Sequence, residues 1–395
     1  MITVIGCDGA PPRPEAAAAL TKADRVVGTR RHLDSMPIPA TAERVEFKGL
    51  DDALDAICET QGRAVVLASG DPGFFGIVRA IRARGEEPEV IPAVSSVALA
   101  FARLGLNWDD ALVVSAHGRD PRRATAAALA HPKAAILTAP GTARELGAAL
   151  QAERRKVYVA ERLGTGQESV GELIPDTDPA EPNVVIAIDE SAPRSLNRHS
   201  APRWLAGHAG APEQWALPED AFEHRDSMIT KAEIRALVLA RLGPAPGRTI
   251  WDVGAGSGSV AVECARFGAW TVAVEQDPGQ CGRIRRNAVT HGVYLRVLEG
   301  QAPQALVGQP RPDAIFVGGG DNATLAAVVQ VGTPDRVVAT LAAVDRVGDV
   351  TRLLDDLGYR CDGVQLQASR LTGLPNGTHR LTAQNPVFVM WGERG

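Results

Sequence analysis

Paired cysteines are missing from this chain. Its five, Cys7, Cys58, Cys264, Cys281 and Cys361, are scattered without a CxxC or a Cys/His pair at metal spacing, which argues against a disulfide framework or a zinc site and predicts reduced, mostly buried thiols. No bound metal is expected. No apolar run reaches the ~18 residues of a membrane span, and no cationic segment precedes the apolar residues of MITVIGCDGA; a cytoplasmic protein with no membrane partner follows. Blocks of like charge are also absent. The net charge is −5, aromatic residues make up only 4%, and no patch interleaves them with basic residues, so nucleic acid is not an expected partner.

What the chain does have is length and apolar content. Its 395 residues are long for one core, and 45% apolar composition can bury two, so two domains are expected. The most informative stretch is TIWDVGAGSGSVAVE (249–263). An apolar run, Thr249 to Val253, reads as a buried strand, and it stops at Gly254, where the chain must turn. Gly254, Gly256 and Gly258 then alternate with small residues, which lets backbone amides approach a nucleotide before a helix opens at Ser259. A second strand, TVAV (271–274), ends about twenty residues on in Glu275, placed to accept from ribose hydroxyls. A dinucleotide fingerprint wants Gly or Ala at the sixth position of GxGxxG, whereas here that position is Ser259. EGQAPQAL (299–306) and AIFVGGG (314–320) read as further strand-end turns, and the Asn/Asp-Pro-Pro-aromatic motif of nucleobase methylation is absent.

Elsewhere strands alternate with helices, which predicts mostly parallel sheets covered on both faces. ITVIG (2–6), DRVVG (24–28) and AVVLASGDPGFFG (64–76) read as strands with strand-end loops, EVIPAVSS (89–96) as a strand whose Ser95 and Ser96 cap the helix Val97–Leu104, and ALVVSAHGRD (111–120), AAILTAP (134–140), KVYVAERLGTGQE (156–168) and NVVIAI (183–188) as further strands. From Asp189 to about Glu219 periodicity disappears, and Trp204 and Trp215 in that stretch are expected to pack on a domain surface. SMITKAEIRALVLARL (227–242) reads as a helix with Thr230 and Glu233 in a capping box. VQLQAS (364–369) and NPVFVMWG (385–392) read as a closing antiparallel pair, with RLTGLPNGTHRLTAQ between them as a lid loop.

Several of these blocks carry a family resemblance. DVGAGSGSVAVE resembles the first motif of S-adenosylmethionine (SAM) methyltransferases. ADRVVGTRRHL, VLASGDPGFFGI, IPAVSSVALAFARLGL and VVSAHGRD are similar, in order, to blocks of the cobalamin branch of the tetrapyrrole methylase family. TKAEIRAL, DVGAGSGSVAVE, HGV, APQAL and FVGGG resemble the SAM-dependent precorrin methyltransferase and decarboxylase of the same pathway. The resemblance implies an α/β protein: a tetrapyrrole methylase fold of two αβα subdomains over 1–195, a linker over 196–218, and a Rossmann-like class I SAM methyltransferase over 219–395. It implies cobalamin biosynthesis: methylation of a precorrin at C5 by the first domain, and at C15 by the second with decarboxylation of the C12 acetate, taking precorrin-6B to precorrin-8X. Two SAM molecules per chain and a homo-oligomer are implied as well.

By the same resemblance, SAM meets Asp252, Gly254, Ala255, Gly256, Gly258, Glu275, Gln301 and Ala302 in the carboxy-terminal half, and Gly70, Asp71, Phe74, Ser95 and Ser96 in the amino-terminal half. Two departures stand out. The first-strand loop is GCDG (6–9) where GxGxG is common, and Gln301 stands where an acid often follows the glycine. A poly-carboxylate substrate calls for arginine forks, and the candidates are Arg30, Arg31, Arg119, Lys231, Arg370 and Arg380, with His32, His117 and His379 as hydrogen-bonding groups. No catalytic residue is assigned. Two other readings remain open: a SAM enzyme acting on another substrate, and one catalytic domain with the other serving as a docking module for intermediates.

Overall fold

Short β-branched runs that end at glycine set the architecture. The computed structural model describes residues 1–47, 49–60, 62–190, 212–225, 229–375 and 377–394. Positions 196–211 of the expected linker, Trp204, and residues 227 and 228 of the expected helix lie outside the described residues. The chain divides into two compact units, Met1–Arg119 with Lys133–Gly207, and Asp120–Pro132 with His208–Gly395.

The first unit holds two five-stranded sheets. One is built from β1 (Ile2–Cys7), β2 (Arg25–Gly28), β3 (Glu43–Glu46), β4 (Ala64–Ser69) and β5 (Glu89–Ile91) in the order β3-β2-β4-β1-β5, with every pairing parallel. Its central strands are buried on both faces: Ile5, Val26, Val65 and Leu67 pack with Leu20 and Leu33 on one side, and Val4, Val27 and Val66 pack with Leu54, Ile57 and Ile81 on the other. That double cover is what near-continuous apolar strands require.

The other sheet departs from expectation. It contains β6 (Leu112–Ser115), β7 (Lys133–Leu137), β8 (Lys156–Glu161), β9 (Ser169–Glu172) and β10 (Asn183–Ile188) in the order β6-β7-β10-β8-β9. Only β6 and β7 run parallel; the other three pairings are antiparallel. No helix separates β8, β9 and β10, and short connections cannot carry a parallel crossover. The two sheets meet through their loops. A Cβ on Gly9 would lie 2.0 Å from the Gly164 carbonyl oxygen, and Gly9 itself sits at φ +87°, so glycine is required at this crossing.

The second unit carries a seven-stranded sheet of β11 (Thr249–Val253), β12 (Trp270–Glu275), β13 (Arg296–Glu299), β14 (Ala314–Val317), β15 (Arg336–Leu341), β16 (Tyr359–Leu366) and, last in the chain, β19 (Val387–Arg394), in the order β13-β12-β11-β14-β15-β19-β16. Five strands are parallel, and β19 joins antiparallel between β15 and β16. This is the α/β class expected, including the closing antiparallel pair. The predicted lid loop is instead a two-stranded ribbon, β17 (Ser369–Gly373) with β18 (His379–Ala383), in which the Arg-Leu-Thr runs 370–372 and 380–382 pair across with Leu371 opposite Leu381.

Two helix starts differ in detail. Ser95 alone caps the helix Ser96–Leu104, its Oγ accepting from the Ala98 N–H at 3.2 Å, and Ser96 is the first helical residue. The predicted capping box does not form. The helix Ala232–Leu242 starts at Lys231 without a side-chain cap, and its Ala232 N–H donates to Glu219 at 3.0 Å. The segment leading into this unit is tied down from beneath: Arg235 and Glu263, both fully buried, are paired at 3.2 Å, and the Leu217 N–H donates to the same Glu263 oxygen at 2.7 Å. Trp215 stays 56% exposed, with its ring edge-on to Phe267.

Candidate functional site

In the second unit the candidate site grows from β11. Past Val253 the chain enters three left-handed glycines, Gly254 at φ +72°, Gly256 at +56° and Gly258 at +76°. The N–H groups of Gly254 and Ala255 both donate to the Val274 carbonyl, at 3.0 and 3.1 Å, which folds the turn over the end of β12. There Glu275 holds it: one carboxylate oxygen accepts the Gly256 N–H at 2.8 Å and the other the Asp277 N–H at 3.0 Å. Each oxygen keeps a lone pair for another donor. A Cβ at Gly256 would meet nothing within 4 Å, so the turn faces open space; a Cβ at Gly258 would run into Ile284 at 2.8 Å.

Neighbouring strand ends complete the cradle. The Gly300 N–H donates to the Glu275 carbonyl at 2.9 Å, bringing in the turn of Gln301 and Ala302, where the exposed Gln301 amide donates to Gln276 at 3.3 Å. A Cβ on Gly254 would come 3.6 Å from the Gly319 N–H, so the loop after β14 lies alongside. Asp252 sits under the turn, 1% exposed. One of its oxygens accepts the Ala261 N–H at 2.9 Å, while the other, Oδ1, has no partner. Burial pushes this carboxyl up to about 7; the Ala261 hydrogen bond opposes the shift and the Glu275 charge adds to it. In this arrangement Asp252 orients the turn and the helix that follows.

In the first unit the loops after β1, β4 and β5 converge. The Gly70 N–H donates to the Cys7 carbonyl at 2.7 Å, and a Cβ on Gly6 would fall 2.4 Å from the Gly70 oxygen and 2.6 Å from the Ala93 nitrogen. Asp8, in the GCDG loop, accepts the Val94 N–H at 3.3 Å. Gly70, left-handed at φ +60°, lies against Ser95 and Ser96 at the start of their helix. Asp71 turns its carboxylate onto the Gly73 N–H at 2.8 Å, the self-bonded turn its residue type favours. Phe74 is 38% exposed and edge-on to Phe75 at 4.9 Å. The guanidinium of Arg119 lies 5.9 Å from the Phe75 ring centre.

The candidate substrate contacts are scattered. His117 donates from Nδ1 to the Thr138 carbonyl at 3.2 Å. Lys231 only occupies the position before the helix Ala232–Leu242, with no side-chain hydrogen bond to the helix start, and His379 and Arg380 project from β18 as exposed residues. Arg30 is exposed and 3.9 Å from Asp34. Arg370 is not available to a substrate, contrary to expectation. It forks onto Glu219 at 2.8 Å and onto Glu233 at 2.7 and 2.8 Å, on partners more than a hundred positions away. The Arg370 hydrogen bonds hold the Glu219 carboxyl down at about 2. Ser69 and Phe75 sit inside the ASGDPGFFG block, beside the residues expected to meet the donor, and nothing in the sequence itself marks Phe75 out from its neighbours.

In both cradles carboxylate acceptors, left-handed glycines and helix starts sit at the carboxyl ends of parallel strands, where α/β sheets bind nucleotides. Among the described residues no group of three or more His, Cys, Asp or Glu side chains could hold a metal, and no helix is long and apolar enough to cross a membrane.

Residues 14–173 match the model of the tetrapyrrole (corrin/porphyrin) methylases, and residues 220–390 match a precorrin methyltransferase domain. The chain is 36% identical over 366 residues to the precorrin-6Y C(5,15)-methyltransferase [decarboxylating] of a Sinorhizobium species, covering 87% of this chain and 85% of that one. It is 34% identical over 337 residues to the enzyme of the same name from Mycobacterium tuberculosis, covering 81% and 80%. Among solved structures it is similar to the C-terminal domain of precorrin-6Y C5,15-methyltransferase from Rhodobacter capsulatus, with 32% identity and a TM-score of 0.41, over 45% of this chain and 97% of that one.

Proposed function

Since the chain belongs to the precorrin-6Y C(5,15)-methyltransferase (decarboxylating) family and is therefore a SAM-using methyltransferase, we propose that each half binds one SAM and that the halves divide the reaction. Residues 1–195 methylate C5 of the precorrin; residues 219–395 methylate C15 and release the C12 acetate as carbon dioxide. The observation that carries this reading is the Glu275 carboxylate fastened to the Gly256 amide at the mouth of β11 and β12.

When bound, the donor supplies an already activated sulfonium methyl. The chain's part is therefore positioning and exclusion of water, with little acid–base work. In the second half Gly254, Ala255, Gly256 and Gly258 let the backbone approach the methionine and ribose, with Asp252 fixing the turn beneath. The spare lone pairs of Glu275 accept from ribose hydroxyls, and Gln301 with the backbone of Ala302 meets the adenine. In the first half Gly70, Asp71, Phe74, Ser95 and Ser96 line the donor site. Arg119, His117, Lys231, His379 and Arg380 are proposed to contact the carboxylate arms of the substrate. In decarboxylation the conjugated ring takes up the electron pair left by carbon dioxide, and a proton delivered to the former acetate CH2 completes the methyl group at C12.

The protein is proposed to work in the cytoplasm on a small molecule, which its acidic balance supports over nucleic acid. It is proposed to be a homo-oligomer, supported by the cross-strand pair Leu371 and Leu381, 73% and 67% exposed on the β17–β18 ribbon. The deciding experiment incubates the full chain with labelled SAM and the reduced precorrin and weighs the product. A gain of two methyl groups with loss of one carbon dioxide is expected. A single methyl, together with one S-adenosylhomocysteine site per chain by calorimetry, would establish the docking-module alternative instead.

A further inference from the structure

The amino-terminal unit contains a polar cluster that the scheme above does not use. It lies at the carboxyl ends of three adjacent parallel strands. Thr29, Arg31 and His32 follow β2, Ser69 closes β4, and Cys7 closes β1. One Arg31 nitrogen, Nη2, is 3.0 Å from Nε2 of His32 and 2.9 Å from Oγ of Ser69, and Ser69 Oγ is 3.1 Å from the same His32 nitrogen. A guanidinium can only donate, so His32 Nε2 is the acceptor; the ring proton therefore sits on Nδ1 and donates to Thr29 Oγ1 at 3.1 Å.

His32 is 5% exposed. Burial first, and the Arg31 charge second, hold its imidazole down at about 4, while the Leu67 backbone opposes the shift. The ring is thus neutral near pH 7 and keeps a lone pair for Arg31. This arrangement is unusual for an arginine. Among the described residues no carboxylate forms an ion pair with Arg31, in contrast to Arg30 with Asp34 or Arg370 with Glu219 and Glu233. Neutral acceptors aim the guanidinium without neutralising it. Its anchor, Ser69, immediately precedes Gly70 of the proposed donor loop, so an uncompensated and oriented positive charge stands at the rim of that site.

We propose that Arg31 is the carboxylate clamp of the amino-terminal site, with His32 and Ser69 as its positioning residues. The proposal rests on the assignment of this half to SAM-dependent methylation. Two carboxylates share the required chemistry: an acetate or propionate arm of the tetrapyrrole, and the methionine carboxylate of the donor. Nη2 is taken by His32 and Ser69, which leaves the remaining N–H groups of the fork for a charge-assisted pair. Removing one side of such a pair costs on the order of ten-fold or more in affinity.

The test uses the full chain and four variants, Arg31→Ala, Arg31→Lys, His32→Leu and His32→Gln. Binding of uroporphyrin, a non-reacting tetrapyrrole octacarboxylate, is followed by quenching of tryptophan fluorescence, and binding of S-adenosylhomocysteine by calorimetry. Michaelis constants for the precorrin and for SAM are measured alongside. Arg31→Ala is expected to weaken one of the two ligands ten-fold or more, with the matching KM rising and kcat nearly unchanged. A loss with uroporphyrin assigns the clamp to the substrate, and a loss with S-adenosylhomocysteine assigns it to the donor. His32→Leu should give a smaller loss in the same arm, partly restored by His32→Gln, whose amide oxygen can still accept from Arg31; a purely structural role for the ring would show no such rescue. Arg31→Ala that remains folded and binds both ligands like the parent chain overturns the proposal. A parent chain that fails to methylate the precorrin overturns the activity reading instead, and the two titrations still decide Arg31.

Discussion

Asp252 shows how a single buried group reports on the site it supports. Its carboxyl titrates near 7 in the folded chain against about 4 when exposed. Between those values the folded state binds the proton and the unfolded state does not, so this group's contribution makes stability fall as pH rises from about 4 to about 7. Asp252→Asn keeps an oxygen for the Ala261 N–H and removes the titration. Urea midpoints measured from pH 5 to 8 are therefore expected to fall less steeply in the variant than in the parent chain; parallel curves would mean that Asp252 stays ionised throughout. Much of this site was legible in the sequence, because glycine spacing and a strand-ending acid are local signals that need no knowledge of the fold. The role of Arg370 was not legible. Its partners Glu219 and Glu233 lie 151 and 137 positions away, and a sequence shows an arginine but not which distant carboxylates claim it.

At the scale of elements, that same arginine fastens β17 to the helix Ala232–Leu242 and to the short turn Glu219–Ala221. Glu219 is held down at about 2, below its unfolded value. The stability it adds is present above about pH 4.5 and is lost as pH falls through 2. Arg370→Leu should accordingly be less stable than the parent chain at pH 6, by about 1–2 kcal/mol after solvent screening of a partly exposed cluster, and the gap should narrow at pH 3. Chemical unfolding at the two pH values measures it, and an unchanged gap would place the stabilisation elsewhere. The expected lid became a ribbon, and the second sheet became largely antiparallel, for related reasons. Thr372 and Thr382 pair hydroxyl to hydroxyl at 2.9 Å across the ribbon, and β8 to β10 pair through connections too short for a crossover. In both places the strands themselves were recognisable from composition, whereas their direction depended on counting the residues between them.

For the whole molecule, the amino-terminal unit depends on how closely its two sheets approach. At their meeting point the backbones of Asp8 and Gly9 and of Gly164 touch with no side chain between them; a Cβ on Gly164 would fall 1.7 Å from the Asp8 carbonyl oxygen. Gly9→Ala is expected to cost on the order of 1–3 kcal/mol through its positive φ and this overlap. It should depress methylation at C5 while the C15 methylation and carbon dioxide loss assigned to the other half persist, as product masses would show; equal loss of all three would contradict the division of labour. The separation between these sheets is thus fixed by the thickness of bare main chain, a dimension that repacking elsewhere cannot adjust. One added methyl would act as a wedge, and whatever the loops on either side grip would be gripped at the wrong width.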